Sequence, residues 1–148
     1  MKKLIALYEY AEDHGIDVDW CTMLRAESLS VKLEDGSCAI AIDPFKLTST
    51  ADETSKLAHE LGHCETNSFY CQYAPLDERG RNEARAVRWA IKKLLPCPEM
   101  RAAMKAGYTE LYQLAEYFEV PEDLIQQAVD YYTGPCGLSF RDPSENCC

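Results

Sequence analysis

The run Ser55-Lys56-Leu57-Ala58-His59-Glu60-Leu61-Gly62-His63-Cys64 holds the residues of this chain best suited to chemistry. It contains H-E-x-x-H. On an α-helix, residues four apart lie nearly above one another, so His59 and His63 can present two imidazoles to one metal ion. Glu60 falls about 100° round the helix from His59, beside such an ion rather than on it. That placement suits a general base acting on a water held by the metal, the chemistry of metal-assisted hydrolysis. Leu57, Ala58, Leu61, Gly62 and Cys64 are all uncharged, the pattern of a helix buried beneath a cleft.

Two histidines leave the coordination of zinc incomplete, and a third donor must come from another element. A strong helical pattern runs from Arg81 to Leu95, stopped by Pro96, with an apolar stripe of Ala86, Val87, Ala90, Ile91 and Leu94. One turn back along that stripe lies Glu83. A carboxylate aimed along a core-facing stripe is costly unless it is paired or bound to a metal, which makes Glu83 the preferred third ligand. The expected site is His59, His63 and Glu83 with one position open for water. The competing reading of Glu83 is a first-turn acid that satisfies the helix dipole. Asp77, Glu78 and Glu65 are weaker candidates, since none is fixed on the stripe.

The metal-binding helix opens at Ser49-Thr50-Ala51-Asp52-Glu53, where Thr50 and Glu53 fit a capping box. Gly62 inside the helix costs about 1 kcal/mol relative to Ala, and either lets a metal or another backbone come close or is simply tolerated. Between the two helices, residues 65–80 read as a loop, polar and aromatic, with Pro75 and Gly80. Its Tyr70 and Tyr73 have two readings. They line the cleft and donate to a developing oxyanion, or they pack on the surface, which is the expected one.

Ahead of this helix, Leu4, Leu7, Tyr8 and Ala11 form a helical stripe ended by Gly15. His14 there reads as a helix-end residue favoured by the dipole, with approach to the metal site as the alternative. Leu29, Val31 and Leu33 alternate with Ser30, Lys32 and Glu34 as a half-buried strand. Asp35-Gly36 marks a turn and Cys38 to Ile42 the returning strand of a hairpin, ended by Asp43-Pro44. The hairpin either covers the core or offers its free edge to an extended peptide.

Downstream, Pro98 to Ala106 forms a short helix ended by Gly107. Two further helices, joined by a tight turn at Pro121, have the spacing of a helix-turn-helix core in Leu114, Ala115, Phe118, Val120, Ile125 and Val129. The second of them carries Glu122, Asp123 and Asp130 and no Lys or Arg, so it does not suit DNA phosphates. It reads as a packing or protein-docking element.

Composition bounds the rest. At 148 residues the chain can bury a real core as one domain. With 25 acidic against 15 basic side chains the net charge is −10, which disfavours nucleic acid and anionic membrane as partners and weakly favours a basic protein. Acidic residues follow the basic N-terminus at once, so no apolar signal region forms, and no stretch has the length of a membrane span. A cytoplasmic protein is expected, and with it free thiols at the eight cysteines. No C-x-x-C pair supports a zinc knuckle. Cys136 with Cys147 and Cys148 reads as incidental thiols on a tail, or else as donors to a soft metal.

The HELGH run at His59–His63, together with the stretch from Glu83 through Ala86, Ala90, Leu94 and Leu95 to Pro96, resembles the signatures of the ImmA/IrrE family of zinc metallopeptidases. Trp89 stands where the family pattern has Phe. The likeness runs over residues 4–132. It implies metal-ligand positions for His59, His63 and Glu83 and the catalytic position for Glu60. It also implies an α+β fold: a mostly helical, zincin-like metallopeptidase domain over residues 1–133 with a small antiparallel sheet. Residues 108–132 form its helix-turn-helix-like pair, and residues 134–148 a mobile tail. Members of the family, often encoded by phages and integrative elements, cleave a helix-turn-helix repressor and so derepress its genes. The resemblance implies that task here, with Zn2+ as cofactor and such a repressor as protein partner. The alternative class is a non-catalytic metal-binding antirepressor or a toxin–antitoxin-like interaction module. The C-terminal sensor domain that some members carry is not expected here. Position 87 is Val, so the thermolysin-like E-x-x-x-D pairing is missing and the outer partner of the histidines is unidentified.

Overall fold

The computed structural model describes residues 1–71, 73–137 and 140. Its order is α1 (Lys2–Asp13), β1 (Asp17–Trp20), β2 (Ser28–Lys32), β3 (Cys38–Ile42), a 3-10 turn (Pro44–Lys46), α2 (Thr50–Thr66), α3 (Leu76–Leu94), α4 (Cys97–Lys105), α5 (Leu111–Phe118) and α6 (Glu122–Thr133). The architecture is mostly helical with one small sheet, an α+β zincin-like domain. No helix among the described residues is long and apolar enough to cross a membrane.

The α2–α3 pair is the centre of the molecule. Ser49 caps α2, its hydroxyl accepting from the Asp52 N–H at 3.1 Å, while Asp52 accepts from the Thr48 N–H at 3.0 Å. The box expected at Thr50 and Glu53 is therefore replaced by a cap at Ser49, with Asp52 reaching back to Thr48, and Glu53 instead accepts from the Tyr8 hydroxyl of α1. Leu57, Ala58 and Leu61 are fully buried. The neighbouring α3 starts at Leu76, five residues ahead of the expected Arg81. Gly80 is tolerated on an exposed turn, and Asp77 and Glu78 meet the positive end of the helix dipole. Ala86, Ala90, Ile91 and Leu94 are buried as the stripe requires, and Val87 is half-buried. Gly62 lets the helices touch through backbone. A Cβ on it would stand 2.5 Å from the Ala86 carbonyl oxygen and 3.0 Å from the Ala86 Cα.

The sheet departs from expectation twice. It has three strands in the order β1-β3-β2. The hairpin pair β2–β3 is antiparallel, but β1, which sequence pattern does not reveal, runs parallel to β3, so the sheet is mixed. The inward face of β2 is also the reverse of the one its alternation suggests. Ile40 and Ile42 of β3 are buried, and the register sets Ser30 opposite Ile40 and Ser28 opposite Ile42. Cross-strand partners share a face, so the serines point in and Leu29 and Val31 point out, 49% and 42% exposed.

The remaining helices close the core from below. Leu114, Phe118, Val120, Leu124, Ile125 and Ala128 pack α5 against α6, while Val129 is only partly buried. The Tyr132 hydroxyl donates to the Leu95 carbonyl at 2.8 Å, tying α6 to the end of α3. Glu119 takes a left-handed conformation (φ 57°) in the turn between them. In the segment 134–148, the Cys136 N–H returns to Tyr131 O and Phe140 stacks edge-on to Tyr132, whereas Cys147 and Cys148 lie outside the described residues.

Cys38 of β3 and Cys64 of α2 form a disulfide across a Cα–Cα distance of 5.9 Å, which corrects the expectation of free thiols throughout. It fastens the sheet to the helix at the residue after His63. Closing a chain separation of 26 residues should contribute about 3 kcal/mol through the unfolded state. Reduction is accordingly expected to lower the thermal midpoint by up to about 10 °C; equal midpoints with and without reductant would refute the cross-link's contribution. Gly62→Ala gains about 1 kcal/mol of helix propensity. It meets backbone rather than a yielding side chain, at an overpacking cost of about 1–3 kcal/mol. Net destabilisation in urea titration is expected, together with weaker metal binding.

Candidate metal centre

Three side chains converge where α2 and α3 meet. His59 and His63 sit one turn apart on α2, their Nε2 atoms 3.2 Å from each other. Glu83 of α3 reaches across with both oxygens, Oε2 lying 2.9 Å from His59 Nε2 and Oε1 3.2 Å from His63 Nε2. Among the described residues these form a group of three side chains whose ligand atoms all lie within 4.8 Å of one another.

Hydrogen bonding outside the cluster decides which ring nitrogen of His63 is free. Its Nδ1 lies 2.8 Å from the Ser68 carbonyl oxygen, which can only accept, so Nδ1 carries the proton. In the neutral ring Nε2 is then a bare lone pair, aimed at a second imidazole nitrogen and at a carboxylate. Acceptors crowded to this degree repel unless a cation or a proton lies among them. The contacts of 2.9 and 3.2 Å, one to each Glu83 oxygen, are close to the ~3.4 Å edge of a tetrahedron with ~2.1 Å bonds, and nitrogen with carboxylate oxygen is a donor set for zinc and similar divalent ions. The residues present fit such an ion.

Glu60 is buried, 6% exposed, and Ser28 Oγ of the sheet donates to its Oε1 at 2.8 Å. A cleft of about 600 Å³ opens over these groups. One wall is β2, an edge strand of the sheet; the other is formed by residues 68–70 and Glu83.

Tyr70 also belongs to this site, contrary to the surface packing expected for it. Its hydroxyl donates to Glu83 Oε1 at 2.6 Å. That bond, reinforced by burial, pushes the phenol up to about 12, so it remains a donor. Burial pushes the Glu83 carboxyl up, but the Tyr70 hydroxyl and the two imidazoles outweigh it and hold the group below its usual range. Tyr73, in contrast, is 85% exposed. The other candidates stand apart from the cluster. His14 caps the end of α1, its Nδ1 2.8 Å from Tyr10 O, with its ring stacked on Tyr10. Asp77 and Glu78 face solvent in the first turn of α3, and Glu65 is exposed near the end of α2.

Sequence pattern missed Ser28 and Ser68, and gave Tyr70 a place in the cleft only as the less favoured of two readings. The only hint was proximity, since Ser68 follows His63 by five residues and the helix must end and return between them. Asn67 makes that return in a left-handed conformation (φ 50°).

The donor set is tested by titration of the metal-free chain with zinc. Wild type should bind one equivalent. His59→Ala and Glu83→Ala should each lose at least tenfold in affinity, while Glu60→Gln should bind as wild type does. Undiminished binding by His59→Ala would exclude the cluster as the metal site.

Tyrosine-protein phosphatase 69D of Drosophila melanogaster is 30% identical to the chain over 134 residues, which is 87% of this chain and 9% of that protein. The chain thus spans about a tenth of that relative's length, and nothing of its activity is carried over. No solved structure matches the chain significantly. The profile of the IrrE N-terminal-like domain of peptidase family M78 matches residues 26–130, a span that holds β2, both central helices and the whole donor cluster. By this match the chain belongs to the M78 metallopeptidase family.

Proposed function

We propose that this chain is a zinc-dependent endopeptidase that cuts a helix-turn-helix transcriptional repressor of a mobile element and so derepresses its genes. The observation that carries the reading is the meeting of His59, His63 and Glu83 from two helices, with Glu60 buried beside them at the floor of an open cleft. The three donors would hold the ion and Glu60 would act as the catalytic base. When bound, a divalent cation supplies Lewis acidity, making water a usable nucleophile near neutral pH and polarising the scissile carbonyl. Glu60, one helix position from His59, takes a proton from the attacking water and returns it to the leaving amine. Ser28 holds its carboxylate in the cleft until substrate arrives.

The edge strand β2 offers main-chain hydrogen bonds along the cleft, so a substrate segment binds extended, as an added strand. A repressor presents such a segment in a linker or a locally unfolded stretch. The net charge of −10 favours contact with the basic repressor itself over its DNA. The reading places the protein in the cytoplasm.

A second reading, a non-catalytic antirepressor or toxin–antitoxin-like partner, draws on the aromatic surface of the α5 region, where Tyr112 and Tyr117 are 58% and 52% exposed. The two separate on one gel. The zinc-loaded chain is incubated with the helix-turn-helix protein encoded beside its gene. Two fragments are expected from wild type, with the rate lowered at least a hundredfold by Glu60→Gln and abolished by chelator until zinc is restored. Release of intact repressor from its operator without fragments would establish the second reading instead.

A further inference from the structure

The segment from Asn67 to Tyr70 touches two of the three donor residues. Ser68 receives the Nδ1 proton of His63 on its carbonyl, and two residues later Tyr70 donates to Glu83. These are different problems. His63 is 7% exposed and walled in by the helix pair, whereas Glu83 is 40% exposed, on a long side chain with several rotatable bonds. Left alone, a half-exposed carboxylate in a chain of net charge −10 samples solvent-facing rotamers, and ordering it costs entropy each time a cation binds. A hydroxyl at 2.6 Å removes much of that cost beforehand. It does so without neutralising the carboxylate, as a lysine or arginine in the same place would. It also engages Oε1 and leaves Oε2, 2.9 Å from His59 Nε2, as the less encumbered oxygen.

We propose that Tyr70 is a positioning residue for the metal centre, which pre-orders Glu83 across the helix gap and thereby sets the affinity of the site for its cation. The assignment rests on the metal reading given above. It explains why an aromatic residue with only 37% of its surface exposed lies over the rim of the cleft, its ring 6.2 Å from that of His63, while Tyr73 three residues on is left in solvent.

Zinc affinity of the full chain, measured by competition with a chromogenic chelator, tests it without any substrate. Tyr70→Phe keeps the ring and removes only the hydroxyl, so the far-UV spectrum of the metal-free protein should be unchanged. Its zinc affinity should fall about 10–100-fold, the usual effect of deleting an outer hydrogen bond to a ligand. In a Glu83→Ala background the same change should cost nothing further, because the group that Tyr70 positions is gone. Equal affinity for wild type and Tyr70→Phe would overturn the proposal. So would an equal loss in both backgrounds, which would mean that the hydroxyl acts on something other than Glu83. A wild-type chain that takes up no zinc overturns the metal reading itself, and this assignment with it.

Discussion

The backbone contact between α2 and α3 is the constraint on which the rest of the molecule depends. With a hydrogen in place of a side chain at Gly62, the Ala86 carbonyl and Cα come within reach of the helix that carries both histidines. Residue 62 directly precedes His63, and residue 86 lies three positions beyond Glu83, so these contacts are consecutive rungs of one interface. A side chain at 62 would push α3 outward, and the shortest distances in the cluster, 2.9 and 3.2 Å, would lengthen first. Packing and chemistry are therefore the same problem here. The apolar stripe of α3, buried on Leu57, Ala58 and Leu61, supplies the adhesion, and the missing Cβ sets how close it brings the donors.

Around that interface, orientation comes from groups that lie outside the helices. The Ser68 carbonyl selects the tautomer of His63, the Tyr70 hydroxyl holds Glu83, and the Ser28 hydroxyl holds Glu60. Two of these three come from the short return after α2, made possible by the left-handed Asn67 at its end. Lys32 of β2 donates to the Asn67 side chain at 3.0 Å, joining the far wall of the cleft to the same return. The cleft is thus bounded by a strand edge and a turn, with its reactive groups on the helix pair between them.

The sheet shows how little side-chain alternation alone constrains a strand. Leu29 and Val31 look like inward residues, yet Ile40 and Ile42 sit on the strand that is paired on both edges, so burial of β3 dictates the face and β2 follows its register. The result is an inward row of serines, one of which is thereby available to Glu60. The disulfide from Cys38 to Cys64 holds this sheet against α2 next to His63. Neither the pairing of those cysteines nor the parallel strand β1 has a local signature, since both join segments distant along the chain.

Within single helices, the sequence by itself determined a great deal. H-E-x-x-H places two imidazoles on one face because the helix repeats every 3.6 residues, and the stripe through Ala86, Ala90 and Leu94 aims Glu83 at the same core by the same periodicity. The α5–α6 pair and the short α4 were legible for that reason too. Only the tertiary structure decided how the three side chains meet, which nitrogen of His63 is free, which face of β2 turns inward, and that Tyr70 rather than Tyr73 reaches the site. Those outcomes depend on the distance between two helices and on the path of a turn. Both are set by contacts between residues far apart in the chain, which no local spacing encodes.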